Sequence, residues 1–250
     1  MKPIPVLGIP YYNRPDLLAR CVASIDYPVE KLVLVLQGPE GLRAELDALR
    51  GEPGIIPAGV KETVVLRHPN AGVAGAWNEI IKLFPAPWWL IANNDIEFAP
   101  GDLAKTSVTL DPNNLDMIYG NHGASWFAIT ARGVAAAGLF DENIYPAYLE
   151  DCDMSRRFDL LGLRQGNVPE VHSIHGDAAR GISGSTTINS DPKLSAQNAR
   201  THGGNFDYYR RKWGGINEQE VYPTPFNDPQ WPVWAWRFDP AHRAEQIWPA

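Results

Sequence analysis

The stretch that decides the fold is Trp88–Pro100, which reads WWLIANNDIEFAP. Four apolar residues, Trp88–Ile91, run without a break into Asn93-Asn94-Asp95. A short apolar run that ends in polar residues indicates a buried strand that stops at the edge of a sheet. Ligands of open α/β sheets bind outside the carboxyl ends of the strands, so Asp95 is expected at that edge. One carboxylate together with substrate phosphates is a common way to hold Mg²⁺ or Mn²⁺.

The same three polar residues also suit an ordinary turn, because Asn and Asp favour turns without any functional reason. On this stretch alone the turn is the better interpretation. The neighbouring segments favour the functional one.

Strands and helices alternate through the first hundred residues. Predicted strands are Ile4–Ile9 (broken by Pro10), Lys31–Leu36, Thr63–Leu66 and Trp88–Ala92. Predicted helices begin at Pro15, at Leu42 (Leu42–Leu49) and at Val73 (Val73–Leu83). This alternation is typical of a mostly parallel central sheet with helices on both faces, an α/β fold.

The second half of the chain is less regular. Further strands are predicted at Leu115–Tyr119, Ser125–Thr130 and Val168–His175. Helices are predicted at Ala131–Ala137, at Met154–Leu161, and over Pro192–Trp213 with an interruption at Gly203-Gly204. Residues 216–250 form an extension rich in proline and aromatic residues.

Composition narrows the possible functions. The 250 residues suit one large domain with an appendage, and a net charge of −7 argues against a nucleic-acid partner. Two cysteines make no disulfide framework, and no apolar run reaches the length of a membrane span. The N-terminal MKPIPVLGIP does not resemble a signal peptide, so a cytoplasmic protein is expected.

Acidic residues cluster between positions 141 and 153. Any one of them could simply cap a helix or interact with its dipole. A cluster beside apolar residues is a better candidate for a general base, because burial and like charge raise the pKa of a carboxyl group. Of these acids, Asp151 is the predicted base.

Two histidines are candidates for a metal ligand. His172 and His175 are three residues apart on a predicted strand, so they would point to opposite faces and one metal would not take both. His68 and His122 lie in predicted loops and receive no role. The chain has no phosphate-binding loop of the GxxxxGK[ST] type, no GxGxxG after a strand and no GxSxG.

Five motifs, in order, resemble inverting glycosyltransferases of the GT-A fold, family 2 type. The first three are Pro10-Tyr11-Tyr12-Asn13-Arg14, the set Asn70, Gly72 and Asn78, and Asn93-Asn94-Asp95. The last two are Gly138–Glu142 with Glu150–Arg157, and Val168-Pro169-Glu170 leading to His175. The resemblance covers about residues 4–215. Each motif alone is weak, and the five in this order and spacing are strong.

The resemblance implies a role for each of these positions. Asp95 and His175 would hold Mn²⁺ or Mg²⁺, Asp151 would be the catalytic base, and Trp126 and Glu150 would lie on the acceptor side. The nucleotide sugar would be contacted by Pro10, Tyr11, Asn13, Arg14, Gln37, Asn70, Gly72, Asn78, Asn93 and Asn94. Residues 1–98 would bind the nucleotide sugar, and residues 99–215 would complete the GT-A domain with the acceptor and catalytic half.

Two positions depart from the family pattern. Gln37 stands where the family usually has an acid that contacts the nucleotide base, so the identity of that base is open, since an amide can donate as well as accept. Asn93 replaces the first acid of D-x-D, so the donor phosphates would carry more of the metal binding. The expected partners are a nucleotide-diphospho-sugar donor and a carbohydrate, lipid-linked or protein acceptor.

Two alternatives remain open at this point. One is a sugar-nucleotide pyrophosphorylase, which would need a glycine-rich basic loop that Ile4–Pro15 lacks. The other is a domain that binds a sugar nucleotide without transferring the sugar.

Two segments have several interpretations. Gly176–Asp191, rich in Gly, Ser and Thr, is either a lid over the donor or a disordered connector. The aromatic residues Trp231, Trp234, Trp236, Phe238 and Trp248 of the extension would pack on their own domain, join two subunits as a homodimer, or bind a sugar acceptor.

Overall fold

A computed structural model of the chain describes residues 2–38, 56–110, 114–177, 180–216, 218–239 and 242. The strands are β1 Ile4–Tyr11, β2 Val29–Leu36, β3 Val60–Arg67, β4 Trp88–Ala92, β5 Ile96–Glu97, β6 Met117–Gly120, β7 Gly123–Thr130, β8 Gln165–Asn167, β9 Ile174–Asp177 and β10 Ile182–Ser183. The helices are α1 Pro15–Ala23, α2 Gly72–Leu83, α3 Asp102–Thr109, α4 Ala131–Ala137, α5 Glu150–Leu160, α6 Thr186–Ser190 and α7 Pro192–Trp213. The predicted helix Leu42–Leu49 and Trp248 lie outside the described residues.

The central sheet has seven strands in the order β3-β2-β1-β4-β7-β6-β8. β3, β2, β1 and β4 pair in parallel, β7 pairs antiparallel with both β4 and β6, and β8 returns parallel to β6. A small antiparallel sheet of β10, β9 and β5 lies beside it. The predicted α/β class with a mostly parallel sheet is therefore confirmed.

β4, at the centre of the sheet, is buried on both faces, which explains its uninterrupted apolar run. In β4, Leu90 and Ala92 belong to one core cluster, whereas Trp89 and Ile91 belong to the cluster on the other face. Alternate residues of a strand point to opposite faces, so a strand covered on both sides has no position for a polar side chain. The polar residues therefore begin only where β4 ends.

β1 continues through Pro10, where the sequence predicted a break. Pro10 and Tyr11 stay in register with Val35 and Leu36 of β2. The ladder between β1 and β4 joins only Leu7 and Gly8 to β4. Beyond Gly8 the strand has β2 as its one ladder neighbour, and a proline without an N–H is tolerated at such an edge.

Two other predicted elements were wrong. Val168–His175 is not one strand, because β8 ends at Asn167 and β9 begins at Ile174. His172 therefore lies in an exposed loop, where its amide donates to Asp102. His172 and His175 therefore do not lie on one strand, and the prediction that they point to opposite faces of it was wrong.

Helix α7 runs without interruption through Gly203-Gly204. Two glycines cost a helix about 2 kcal/mol together. The helix has a cap from Asp191, whose carboxylate accepts from the amides of Lys193 and Leu194, and it buries Asn205, which bonds the carbonyls of Tyr145 and Ala147. Tertiary contacts of this kind outweigh the local propensity.

A network of buried charges connects α5 to α7. Lys212 Nζ lies 2.7 Å from Asp141 Oδ2 and 2.6 Å from Asp153 Oδ1, and Arg157 lies 2.8 Å from the other oxygen of Asp153. All four side chains are almost completely buried. Burial alone would raise the pKa of Asp153, but Lys212 and Arg157 outweigh it and hold that pKa below its ordinary value. Removing one charge would leave its partners buried without compensation.

The extension packs against its own domain over the residues that the structure describes. The side chain of Asn143 donates to the carbonyl of Arg237 and accepts from the amide of Asp239. Trp234 and Phe238 nevertheless stay 54% and 57% exposed. The predicted boundary at residue 215 stays a prediction. Among the described helices, none combines the length and the apolar character needed to cross a membrane.

We predict that Lys212→Met destabilises the fold by about 3–5 kcal/mol, because it leaves two buried carboxylates short of a counter-ion. Arg210→Met is the matched control: it lies on the same helix, but its ion pair with Asp207 is 53% and 73% exposed. An exposed pair of this kind contributes little to stability. Urea unfolding of both variants measures the difference. Equal midpoints would show that the buried network adds nothing.

Candidate active site

A cavity of about 300 Å³ opens where the carboxyl ends of β1, β2 and β4 meet. The strand order reverses at β1, since β2 lies on one side of it and β4 on the other. Ligands bind at such a switch point in open α/β sheets. Nine of the predicted site residues line the cavity: Pro10, Tyr11, Gln37, Asn93, Asn94, Asp95, Glu150, Asp151 and His175.

Asp95 lies between β4 and β5 and is 5% exposed. Its Oδ2 accepts hydrogen bonds from the amide of Thr186 at 2.9 Å and from the Thr186 hydroxyl at 2.7 Å. Its Oδ1 lies 3.4 Å from His175 Nε2. Burial opposes ionisation, but His175 and Thr186 together outweigh it, so the pKa of Asp95 lies below its ordinary value. Asp95 is therefore a carboxylate at neutral pH.

His175 reaches Asp95 because β9 pairs with β5, which puts His175 opposite Ile96. Its Nδ1 lies 3.1 Å from the hydroxyl of Ser125, whereas its Nε2 is buried without a hydrogen-bond partner among the described residues. A carboxylate oxygen and an unpartnered imidazole nitrogen that face each other fit a divalent cation. The described residues contain no group of three or more His, Cys, Asp or Glu for a metal, so phosphate oxygens or water would complete its coordination.

The segment predicted to be a lid contains β10 and α6, and three of its residues, Ser185, Thr187 and Ile188, line the cavity. Thr187 donates its hydroxyl to Asn94 Oδ1 at 3.0 Å and accepts from the side chain of Asn13 at its carbonyl, also at 3.0 Å. Arg14 donates to the hydroxyl of Ser190 at 3.0 Å. The segment is thus bonded to the loop after β1 and to the turn after β4. Whether it opens stays a prediction.

The acidic side of the cavity is the first turn of α5. Its position is fixed by Gly72, which has φ +75° and lies so close to Pro146 that an added Cβ would be 2.7 Å from the Pro146 carbonyl oxygen. The amide of Val73 donates to the same carbonyl at 2.8 Å. Only glycine combines that φ with that approach. This contact brings α2 against the chain that leads into Glu150 and Asp151.

The two acids differ in their surroundings. Asp151 is half-buried, and one of its oxygens accepts from the amide of Cys152 at 2.9 Å. Glu150 is 6% exposed, and its Oε2 has no hydrogen-bond partner among the described residues. Burial, followed by the charge of Asp151, raises the pKa of Glu150 to about 8. Glu150 therefore retains its proton at neutral pH.

Five predicted donor-side residues are not among the side chains that line the cavity: Asn13, Arg14, Asn70, Gly72 and Asn78. Arg14 forms ion pairs with Asp16 and Asp177, and Asn70 accepts from the amide of Gly72. Asn78 is fully buried and bonds both the amide and the carbonyl of Phe140. Their nucleotide contacts stay predictions.

The resemblance implied that Trp126 lies on the acceptor side, but the structure encloses this side chain in the core. It is fully buried, its indole nitrogen donates to Ser173 Oγ at 2.8 Å, and its ring packs edge-on against Phe98. An acceptor cannot reach a side chain enclosed in this way. Trp126 packs in the core on one face of the sheet, and its neighbour Phe127 packs in the core on the other face.

Several residues that line the cavity were not among the predicted site residues: Tyr12, Val73, Trp77, His122, Ser125, Tyr148, Ser185, Thr187 and Ile188. His122 was given no role, yet it lies in the turn between β6 and β7, and its ring centre is 5.6 Å from that of His175. Only the hairpin register and the strand order reveal this proximity. A pattern along the chain does not.

Residues 7–125 match the sequence profile of the family described as "Glycosyl transferase family 2". The chain is therefore similar to that family over 119 of its 250 residues. The matched residues include the loop after β1, Gln37 and the turn with Asp95, and they end before Asp151 and His175. No curated protein sequence matches the chain.

Solved structures share the GT-A fold. A mannosyltransferase from Pyrobaculum calidifontis, PcManGT in complex with GDP-Man and Mn²⁺, is 17% identical, with a TM-score of 0.59 over 84% of this chain and 65% of that one. GalNAc-T7 with UDP, GalNAc and Mn²⁺ is 13% identical, with a TM-score of 0.59 over 84% of this chain and 50% of that one. This chain therefore spans less than two thirds of the length of either of those chains.

An inositol-1-phosphate CTP transferase from T. maritima is also similar, at 12% identity and a TM-score of 0.52 over 78% of this chain and 95% of that one. The same fold thus hosts both sugar transfer and nucleotide transfer. Likeness at this level of identity shows the fold alone, so the reaction has to be inferred from the site.

We predict that Glu150→Gln stabilises the protein increasingly between about pH 4.5 and about pH 8. In this window the unfolded chain has released the Glu150 proton, while the folded protein, in which the pKa is about 8, retains it. The unfolded state therefore binds fewer protons, and the stability of the wild type falls as pH rises. Glutamine has no proton to lose.

Thermal melts of the wild type and Glu150→Gln from pH 4.5 to pH 9 measure the effect. The difference in Tm should grow up to about pH 8 and then level off. Glu62→Gln, at a side chain that is 56% exposed, is the control and should show no such trend. A difference for Glu150→Gln that is constant with pH would mean that this carboxyl ionises normally.

Proposed function

We propose that the protein is an inverting glycosyltransferase that moves a sugar from a nucleotide-diphospho-sugar to an acceptor hydroxyl. One observation carries the proposal: the Asp95–His175 pair and the Asp151 carboxylate line the same cavity at the switch point of the sheet, in a chain similar to family 2. The first pair suits a metal and a diphosphate. The Asp151 carboxylate suits the removal of a proton from the acceptor hydroxyl.

Asp151 is the proposed general base. The acceptor oxygen attacks the anomeric carbon from the face opposite the diphosphate, its proton passes to the Asp151 carboxylate, and the bond to the diphosphate oxygen breaks. The products are the glycosylated acceptor, a nucleoside diphosphate and protonated Asp151, which returns its proton to water. A single displacement of this kind inverts the anomeric configuration. Half-burial keeps Asp151 accessible to the acceptor while Glu150 beside it stays neutral.

Asp95 and His175 are the proposed ligands of Mn²⁺ or Mg²⁺. A divalent cation there would neutralise the charge that develops on the leaving diphosphate. PcManGT and GalNAc-T7 are both complexes with Mn²⁺, which supports this assignment. Thr186 orients the Asp95 carboxylate by occupying one of its oxygens, so the other oxygen faces His175.

The nucleotide would lie across the ends of β1 and β2. Gln37 lines the cavity there, and its side-chain nitrogen donates to the Gly72 carbonyl at 3.3 Å. Because the nitrogen is used in this bond, the side-chain oxygen is the group proposed to accept a hydrogen bond from the base. The two similar transferases are complexes with a guanosine and a uridine nucleotide, so the base is left open. The acceptor is a carbohydrate, a lipid-linked sugar or a protein side chain.

A nucleotidyltransferase is the second candidate, favoured by the similarity to the inositol-1-phosphate CTP transferase. Such an enzyme binds a nucleoside triphosphate and needs basic groups for its phosphates. In the loop after β1, the one arginine, Arg14, is already paired with Asp16 and Asp177. The products separate the two reactions: a nucleoside diphosphate for sugar transfer, and pyrophosphate for nucleotide transfer. A protein that only binds the donor would release neither.

We predict that Asp151→Asn lowers the rate of diphosphate release by about 10²-fold while donor affinity changes little, because the amide keeps the shape but cannot accept the proton. The assay supplies pooled UDP- and GDP-sugars, Mn²⁺ and pooled sugar acceptors. Asp159→Asn, an exposed residue on the same helix, is the control. Loss of donor affinity at an unchanged rate would make Asp151 a binding residue, and release of pyrophosphate would favour the second candidate.

We also predict that Asp95→Asn and His175→Ala each weaken Mn²⁺ binding about tenfold or more in the presence of UDP or GDP, because each removes one of two protein ligands. Electron paramagnetic resonance of free Mn²⁺ measures this without turnover. His172→Ala is the control, since His172 is exposed and is not among the residues that line the cavity. Unchanged Mn²⁺ affinity in Asp95→Asn would remove the metal from the mechanism.

A further inference from the structure

Two residues that line the cavity each have a buried polar atom that the proposed reaction does not use. One is the indole nitrogen of Trp77, and the other is Oε2 of Glu150. Neither has a hydrogen-bond partner among the described residues, although Trp77 is 2% exposed and Glu150 is 6% exposed. Buried polar groups are normally paired, so each unpaired one in a ligand cavity indicates a partner that arrives with the ligand.

The indole of Trp77 is held rigidly in place. Its ring makes edge contacts with Phe127 and Phe140, each with the centroids 4.8 Å apart. Trp77 follows Val73 by four residues on α2, so the two lie on the same face of that helix. A side chain fixed in this way can direct its N–H at one position without losing conformational entropy on binding.

Trp77 and Glu150 flank the contact between α2 and the chain that enters α5. The amide of Val73 donates to the Pro146 carbonyl, and from there Trp77 is one helical turn along α2, while Glu150 begins α5 four residues after Pro146. Both side chains then line one cavity of about 300 Å³. The two residues thus line the cavity on either side of the contact between α2 and the chain that enters α5.

The chemistry of the two atoms selects a hydroxyl group. An indole N–H only donates, and a carboxyl oxygen accepts. A hydroxyl can accept from the first and either donate to the second or accept from it, so it pairs both atoms whichever Glu150 oxygen carries the proton. A phosphate oxygen can only accept, so it pairs with Oε2 only when Oε2 carries the proton. The neutral state of Glu150 near pH 7 avoids burying a second negative charge beside the donor diphosphate.

We propose that Trp77 and Glu150 form a subsite for one hydroxyl of the transferred sugar, with the indole N–H donating to that hydroxyl and the Glu150 carboxyl oxygen accepting from it. The subsite rests on the proposed glycosyltransferase function and adds a basis for choosing among donor sugars. A sugar that lacks the hydroxyl would leave two buried polar atoms unpaired, and sites of this kind discriminate strongly against such analogues.

The test compares nucleoside diphosphates with nucleotide sugars by calorimetry in the presence of Mn²⁺. UDP is paired with UDP-glucose and UDP-GlcNAc, and GDP with GDP-mannose; the pair that the wild type binds most tightly is used. Trp77→Phe keeps an aromatic ring and removes the N–H. We expect it to weaken the nucleotide sugar about 5–10-fold and the nucleoside diphosphate less than about 2-fold.

Trp89→Phe is the matched control. Trp89 is also buried, but its indole nitrogen donates to the Phe84 carbonyl and it does not line the cavity. This control should leave both affinities unchanged. Circular dichroism checks that each variant is folded.

Glu150 supplies an independent arm should Trp77→Phe fail to fold. Glu150→Leu removes both oxygens and should give the same selective loss, whereas Glu150→Gln keeps an acceptor oxygen and should retain affinity to within about 3-fold. If both groups bind the same hydroxyl, the double variant Trp77→Phe/Glu150→Leu loses little more than the larger single loss.

Three outcomes would overturn the subsite. The first is an equal loss for nucleoside diphosphate and nucleotide sugar, which would put Trp77 against the phosphates. The second is unchanged affinity for both ligands. The third is losses in the double variant that multiply fully, which would separate the two contacts. If the wild type binds no nucleotide sugar at all, the proposed function itself fails, and the subsite falls with it.

Discussion

The burial of β4 on both faces is the constraint on which the rest of the structure depends. Its side chains enter two separate cores, so no polar group can appear before the strand ends at Ala92. The chain then emerges between β1 and β7 at the switch point, and Asn93, Asn94 and Asp95 follow at once. The carboxylate lies at the cavity because the strand before it is the centre of the sheet. Sheet order and site are therefore one consequence of the same apolar run.

This part of the molecule could be predicted from the sequence because its signal is local. The run of apolar residues in β4 has the observed bounds, and the alternation of strands and helices over the first hundred residues indicates the parallel half of the sheet. Asp95, Asp151 and His175 were selected by motif, and all three side chains line one cavity. Their chemical roles rest on the resemblance and on experiments, since proximity alone does not assign a base or a ligand.

The rest could not be predicted, because it depends on contacts between residues distant in the sequence. The position of His175 beside Asp95 requires the pairing of β9 with β5, which involves a strand of two residues. Helix α7 crosses two glycines because Asn205 and Lys212 are bonded to residues 60 and 71 positions away. Trp126 and Trp77 are both buried tryptophans in a chain rich in them, yet one is enclosed in the core and the other lines the cavity.

The two sides of the cavity are joined by separate interactions, and this division affects how the site can vary. Gly72 and Val73 hold α2 against Pro146 through one hydrogen bond and one close backbone approach. Asp153 and Arg157 follow the proposed subsite residue Glu150 on α5. Asp153 forms an ion pair with Lys212 of α7, and Arg157 forms an ion pair with Asp153. Glu150 and Asp151 line the cavity, whereas Asp153, less than one turn further on, is bonded to Lys212 and Trp213 of α7. Residues 150 and 151 can then change with the substrate while the buried charges beside them keep the helix in place.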